Sequence, residues 1–166
     1  MILKGESLKL GNNINTDFII SGRYKFSITD IKELSKHIME DIDPNFYSKI
    51  KPGASFIVAG NNFGMGSSRE QAPLVIKESG VLAVIAKSFA RIFYRNSFNI
   101  GLCLIETDTD KINEHDILDI DLDNGIIKNV TRNIELKAKP FPGFMQELLK
   151  EGGIIKYYQK HGQLKV

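Results

Sequence analysis

Residues 55–86 read SFIVAGNNFGMGSSREQAPLVIKESGVLAVIA, and this stretch sets the fold class of the chain. It begins with a compact apolar run of strand length, Ser55–Ala59, and ends with a second one, Val81–Ala86, that contains no polar residue. The segment between them predicts a glycine-rich loop and then a helix from about Ser67 or Ser68 to Ser79. Fully apolar strands on either side of a helix are typical of a parallel sheet that is covered on both faces.

The pattern continues toward the C-terminus. Ser88 is placed to cap a short helix through Tyr94, and residues 102–105 form another buried run. The resulting order, strand–helix–strand–helix–strand, predicts a parallel α/β core. Toward the N-terminus, residues 8–13 predict a short strand and a turn, residues 18–20 another short strand or turn, and residues 27–40 a helix with one apolar face.

The last third has a different character. Residues 117–122 alternate apolar and polar side chains, as a half-exposed strand does, and Asn124-Gly125 is a strong hairpin signal. Residues 126–127 and 134–136 extend this antiparallel part, and a final helix is predicted over about 144–151. The prediction is therefore an α/β protein: a small parallel sheet flanked by helices, with added antiparallel strands, all in one domain spanning residues 1–166.

Composition excludes several classes of protein. The 22 basic and 20 acidic residues are scattered and leave a net charge of only +2, so nucleic acid is not an expected partner. There is no signal sequence and no apolar segment long enough for a membrane span, which predicts a cytoplasmic protein without a membrane partner. The single cysteine, Cys103, cannot form an internal disulfide or hold an iron–sulfur cluster. Its apolar surroundings favour a buried, inert thiol.

The loop Gly64–Glu70, GMGSSRE, is the best candidate for chemistry. Its two glycines allow a sharp turn, and the unpaired N–H groups of a helix start attract carboxylates or phosphates. Arg69 can grip a carboxylate with two hydrogen bonds, and the same positive field would favour ionisation of a neighbouring serine. No P-loop lysine, dinucleotide-binding glycine pattern or hydrolase elbow is present. On spacing alone, an equally good interpretation is that Ser67 or Ser68 only caps the helix.

The wider sequence resembles the swivelling domain of the aconitase superfamily. The resemblance is carried by Gly60–Ala72, by Ala86–Asn96 with Asn99-Ile100-Gly101, by Asn15-Thr16-Asp17 and by the tail Leu148–Ile154. These segments cover nearly the whole chain in the right order. The length is similar to that of the separately encoded small subunits of isopropylmalate dehydratase and homoaconitase.

This resemblance implies a hydro-lyase whose site is shared between two chains. A large partner subunit would carry the [4Fe–4S] cluster, with no cofactor or metal on this chain. Ser67 would be the catalytic base that moves a carbon-bound proton, and Ser68 and Arg69 would bind a carboxylate of a small dicarboxylate substrate. Asp17 would act at the edge of the site by orienting a neighbouring group. Arg91 and Arg95 share a helix face and are assigned structural or interface roles ahead of substrate contact.

The same resemblance implies that a loop after Asn15-Thr16-Asp17 recognises the variable substituent of the substrate. We call residues 22–27, Gly22-Arg23-Tyr24-Lys25-Phe26-Ser27, the substrate loop. Relatives that use a third carboxylate carry arginine two positions after the tyrosine, where this chain has Phe26. An apolar ring cannot pair a carboxylate, so the loop favours an isopropylmalate, with Tyr24, Lys25 and Phe26 as substrate-binding candidates. The ammonium group of Lys25, one residue earlier, could still bind a third carboxylate, so the sequence does not exclude a tricarboxylate substrate.

Two alternatives remain at the level of sequence. The chain could serve a homoaconitase or a methylmalate-type dehydratase with the same mechanism, since a small alkyl group also suits Phe26. It could also be a standalone anion-binding regulatory module, because the loop by itself predicts no more than anion binding.

Overall fold

A computed structural model describes residues 1–24 and 26–163. The strands are β1 (Ile2–Lys9), β2 (Ser55–Val58), β3 (Ala83–Ala86), β4 (Leu104–Glu106), β5 (Ile117–Asp121), β6 (Ile126–Asn129) and β7 (Ile134–Lys137). The helices are α1 (Thr16–Ile19), α2 (Ile31–Ser35), α3 (Phe46–Lys49), α4 (Gln71–Glu78), α5 (Arg91–Asn99), α6 (Gly143–Glu151) and α7 (Ile154–His161). Short 3-10 turns lie at Gly22–Tyr24 and Thr109–Lys111.

The strands form one mixed sheet in the order β4-β3-β2-β1-β5-β6-β7. Strands β4, β3, β2 and β1 pair in parallel, whereas β1, β5, β6 and β7 pair antiparallel. Strand β1 is therefore the junction between the two halves. This confirms the predicted α/β architecture with a parallel core and added antiparallel strands.

Two hydrophobic cores lie on opposite faces of the parallel half. On one face, Ile57 and Val84 pack with side chains from the helices, such as Ile76 of α4 and Phe93 of α5. On the other face, the parallel strands pack with the antiparallel half, so the sheet curls over itself. The second core contains Phe56, Val58, Ala83, Ile85, Cys103, Ile105, Ile112, Leu118, Ile120, Leu122, Ile127 and Leu136. Every residue of β2 and β3 is buried, which explains why Ser55 is the single polar residue in the two strands.

The helix after the glycine loop starts later than predicted. It begins at Gln71, not at Ser67 or Ser68, and Glu70 at its N-cap makes no side-chain capping bond. Pro73 explains the difference, because it lacks an N–H and is tolerated in the first turn of a helix but not in the interior. The interpretation of the serines as helix caps is therefore wrong.

Several other helices also differ from the elements predicted from the sequence. Residues 16–19 form the helical turn α1, so the turn and not the strand alternative predicted for residues 18–20 is observed. The Asn15 side chain caps it by accepting from the Phe18 N–H at 2.8 Å. The helix predicted over 27–40 is regular only in α2. A further helix, α7, follows Gly152 and Gly153, which the sequence had suggested as the end of regular structure. Among the described residues, no helix is both long and apolar enough to cross a membrane.

Candidate active site

The candidate site lies where the loops after three parallel strands meet. The loop after β1 joins the loop after β2, since the Gly64 N–H donates to the Ile14 carbonyl at 2.7 Å and the Thr16 N–H to the Met65 carbonyl at 2.9 Å. The loop after β3 joins the same segment through short parallel pairing of Phe63 with Phe89. The carboxyl edge of a parallel sheet is the usual place for a ligand site in α/β proteins.

Gly64 is the position where the glycine loop requires glycine. Its φ is +80°, and a Cβ there would overlap the buried Phe93 ring of α5. The loop backbone therefore lies directly against the start of α5. Gly66 also has a positive φ, +94°, which turns the chain outward just before the two serines.

Ser67 and Ser68 present exposed side chains at this edge. Within the described part of the chain, neither hydroxyl has a hydrogen-bond partner, so both are available to a ligand. The backbone beneath them is fixed, because the buried Thr16 hydroxyl donates to the Ser67 carbonyl oxygen at 2.8 Å.

Arg69 is held in place by the segment that follows β1. Its Nη1 donates to the Ile20 carbonyl at 3.1 Å, and Nη2 forms an ion pair with Asp17. A Cβ on Gly22 would lie only 3.0 Å from Nη2, so the loop backbone also passes close to the guanidinium. A guanidinium has five N–H donors, and these contacts leave others for a carboxylate. Asp17 therefore contacts Arg69, a neighbouring group that it is placed to orient.

The serines and Arg69 line an open cleft of about 490 Å³. Its opposite wall is the first two turns of α5, including Arg91 and Arg95. Both arginines are exposed, and neither has an ion pair or hydrogen bond within residues 1–24 and 26–163. No carboxylate is among the described residues of the cleft wall, which consists of Thr16, Gly64, Gly66, Ser67, Ser68, Arg69, Ala90, Arg91, Ile92, Phe93, Arg95 and Asn96. Three guanidinium groups thus make the cleft suitable for a small anion with more than one negative charge.

The described residues of the substrate loop are not part of this wall. Tyr24 is half-buried, and its hydroxyl donates to Glu40 at 2.6 Å instead of facing the cleft. Phe26 is 90% exposed. Lys25 lies outside the described residues.

The sequence did not predict the role of Thr16, and it favoured structural or interface roles of Arg91 and Arg95 over substrate contact, whereas all three line the cleft. Thr16 belongs to the Asn15-Thr16-Asp17 motif that was noted, but its partner is a carbonyl 51 positions away, which no local pattern reveals. The spacing of Arg91 and Arg95 did predict a shared helix face. It did not reveal that Gly64 brings that face against the serine loop.

Histidine, cysteine and carboxylate side chains are scattered over the described part of the chain. Within the described residues, no group of three or more His, Cys, Asp or Glu side chains could hold a metal ion. Cys103 is buried in the second core, and burial raises the pKa of its thiol to about 12. Such a thiol is inert as a ligand or nucleophile, as its apolar surroundings had predicted.

Comparison with known proteins agrees with this geometry. The aconitase C-terminal domain family matches residues 12–110. A "3-isopropylmalate dehydratase small subunit 2" of Archaeoglobus fulgidus is 52% identical over 166 residues, covering 100% of both chains. A "3-isopropylmalate dehydratase small subunit" of Nautilia profundicola is 57% identical over 157 residues, 94% of this chain and 93% of the relative.

A solved structure shows the same architecture. The crystal structure of 3-isopropylmalate dehydratase from Methanocaldococcus jannaschii superimposes with a TM-score of 0.93 at 49% identity, covering 98% of this chain and 96% of that one. Full-length matches at this level of identity exceed what a shared fold alone would give. The chain therefore belongs to the aconitase C-terminal domain family and, within it, to the small subunits of 3-isopropylmalate dehydratase.

Proposed function

We propose that this chain supplies the base and the carboxylate contacts for the interconversion of 2- and 3-isopropylmalate in leucine biosynthesis. The observation that carries the proposal is the cleft in which two unpaired serine hydroxyls adjoin Arg69, with Arg91 and Arg95 opposite and no carboxylate in the wall. A substrate with two carboxylates complements that charge.

In the proposed reaction, the Ser67 oxygen, as an alkoxide, takes the proton from the carbon beside a substrate carboxylate. The electron pair of that C–H bond forms the double bond as the hydroxyl on the adjacent carbon leaves as hydroxide, which takes up a proton from solvent to become water. Rehydration in the opposite sense gives the isomer, and Ser67 returns the proton. The positive field of the three guanidinium groups stabilises both the alkoxide and the carboxylate whose charge grows in the transition state.

Ser68 and Arg69 have a binding role in this proposal. Arg69 is already oriented by Asp17 and by the Ile20 carbonyl, so its remaining N–H donors are fixed before substrate arrives. Fixing donors in advance avoids an entropy cost at the moment of reaction. Asp17 thus acts through Arg69 and not on the reacting atoms.

The site is completed by a second chain in this proposal. A large partner subunit would hold the [4Fe–4S] cluster, and the cluster would supply Lewis-acid chemistry toward the substrate hydroxyl. The chain described here cannot build such a cluster, because its only cysteine is buried and alone. The complex is proposed to work in the cytoplasm.

The test of the base uses the reconstituted complex and follows absorbance of the unsaturated intermediate. Ser67→Ala should lower kcat by a factor of about 10² to 10⁴, the usual contribution of a positioned base. Ser68→Ala should mainly raise KM. Ser48→Ala is the control, because Ser48 lies on α3 and bonds only to the Asn45 carbonyl. Full turnover by the Ser67→Ala complex would show that another group is the base.

The proposed substrate class depends on Phe26. Its exposed ring gives the substrate loop an apolar surface that suits an isopropyl group and would leave a third carboxylate unpaired. Phe26→Arg should shift kcat/KM toward a tricarboxylate such as homoaconitate by about tenfold or more. An unchanged ranking of substrates would exclude Phe26 as the selector.

A further inference from the structure

The start of the substrate loop is bound mainly by the carboxylate of Glu40, with a smaller contribution from Asp41. Oε1 of Glu40 accepts from the Tyr24 hydroxyl at 2.6 Å and pairs with Nη2 of Arg23 at 2.9 Å. Oε2 of Glu40 contacts Nδ1 of His37. Asp41 adds a second ion pair to Arg23 at 2.8 Å.

Ring contacts reinforce this arrangement. The Tyr24 ring stacks on His37 with 4.0 Å between centroids and 27° between planes. The Arg23 guanidinium lies 5.0 Å from the Tyr24 ring centroid, within the range of a cation–π interaction. The two side chains that precede Lys25 are thus held by several directional contacts. An ordinary exposed ion pair has one such contact and little effect.

The backbone at Met39, directly before Glu40, has a strained conformation that determines the direction of the Glu40 side chain. Met39 has a φ of +54°, which is unusual for a residue with a long side chain, and it is fully buried. Its N–H donates to the Ile19 carbonyl at 3.0 Å, and this bond holds the strained turn against the end of α1. Strained backbone persists only where its surroundings enforce it, and it concentrates at functional positions.

The same end of α1 also contacts the Gly64–Glu70 loop. The Ile20 carbonyl, one residue beyond the contact with Met39, accepts from Arg69. The start of the substrate loop is therefore fixed on one side by Arg69 and on the other by the Met39–Glu40 turn. A displacement of this turn would move Tyr24 relative to Arg69.

From these contacts we infer that Glu40 is a positioning residue for substrate selection: it holds the Gly22–Tyr24 turn so that the substrate loop meets the variable group of the substrate at a fixed distance from Arg69. The inference rests on the proposed function for the meaning of the loop. It assigns Tyr24 to loop anchoring through Glu40 and not to direct substrate contact.

The test compares Glu40→Gln with Glu33→Gln in the complete two-subunit complex. Glu33 is a matched control, because it lies on α2 in the same segment and pairs only with the exposed Lys36 at 2.8 Å. The ratio of kcat/KM for 3-isopropylmalate to that for a methylmalate is measured for both variants. Glu40→Gln should change this ratio by about fivefold to tenfold, because small displacements of a positioned group have effects of this order or larger. Glu33→Gln should leave it unchanged.

Hydrogen exchange of the isolated chain supplies a readout that needs no turnover. Amides of residues 19–28 should exchange faster in Glu40→Gln than in Glu33→Gln, since the Glu40→Gln variant loses the charged contacts with Arg23 and His37 that help to hold the loop. Tyr24→Phe removes only the hydroxyl and serves as the second variant if Glu40→Gln does not fold. It should shift the ratio in the same direction.

The outcomes separate the two proposals. An unchanged substrate ratio in a folded Glu40→Gln complex, or in Tyr24→Phe if that variant replaces it, overturns the positioning role. Unchanged exchange in residues 19–28 does the same. If the wild-type complex does not turn over isopropylmalates, the proposed function fails, while the exchange experiment still decides whether Glu40 anchors the loop.

Discussion

The hydroxyl of Thr16 donates a hydrogen bond to the carbonyl oxygen of Ser67 across 2.8 Å. This bond joins the first turn of α1 to the residue proposed as the base, and Thr16 itself is buried. The Thr16 N–H also donates to the Met65 carbonyl at 2.9 Å. Thr16 therefore binds the Gly64–Glu70 loop on both sides of Gly66.

Removal of the Thr16 hydroxyl should loosen Ser67 without changing the volume of the site. Thr16→Val should lower kcat about tenfold, because the loop loses a positioning bond, and should destabilise the chain by about 1 kcal/mol. Steady-state turnover and urea unfolding measure the two effects. Thr16→Ser keeps the hydroxyl and should retain most of kcat. Full activity in Thr16→Val would show that the bond is dispensable.

The unpaired arginines of α5 should contribute to substrate affinity through charge. Arg91→Gln and Arg95→Gln are each expected to raise KM for isopropylmalate by about threefold to tenfold at low ionic strength, with the effect shrinking near 0.5 M salt. Lys4→Gln removes the same charge on the antiparallel side, where Lys4 pairs with Asp119 at 3.1 Å, and should not change KM. Weaker association with the large subunit at an unchanged KM would instead assign these arginines to the interface.

Acid should weaken the attachment of the substrate loop. The hydrogen bond from Tyr24, with smaller contributions from His37 and Arg23, lowers the pKa of Glu40 from 4.5 to about 2. A carboxyl whose pKa is lower in the folded chain stabilises that state above its ordinary pKa and loses the effect as pH falls toward the folded value. Wild type should therefore lose stability between pH 4.5 and about 2 more steeply than Glu40→Gln. Denaturant unfolding at several pH values measures this, and parallel curves would contradict it.

The thiol of Cys103 should not react with thiol reagents in the native chain. Its side chain is buried, and the raised pKa leaves almost no thiolate at neutral pH. A chromogenic disulfide reagent should react with it at the rate of unfolding and reach one equivalent only in denaturant. Rapid reaction in buffer would show that the second core opens readily.

Much of the fold was predictable because buried strands carry a compositional signal. Strands β2 and β3 are covered on both faces, so the runs at 55–58 and 83–86 contain few polar side chains and were recognised directly. The hairpin between β5 and β6 was marked by Asn124-Gly125. The start of α4 was misplaced, although Pro73 carried the information that a helix beginning at Ser67 would place proline in its interior.

The candidate site was only partly predictable, because its assembly depends on contacts distant in sequence. The glycine loop, the serines and Arg69 stand together in one motif and were recognised there. Thr16 reaches Ser67 only through the pairing of two loops, and Arg91 faces the serines only because Gly64 lets α5 approach. The anchoring of Tyr24 depends on the left-handed turn at Met39, which has no glycine or asparagine to mark it.

The curled sheet also determines how a second protein can meet this one. Helices cover one face of the parallel strands and the antiparallel half covers the other. The loops of the candidate site therefore lie beyond the carboxyl ends of β1, β2 and β3. In the proposed complex the large subunit would therefore cover the carboxyl edge of the sheet and not one of its faces. The length of the loops at this edge would determine how deeply the substrate is enclosed.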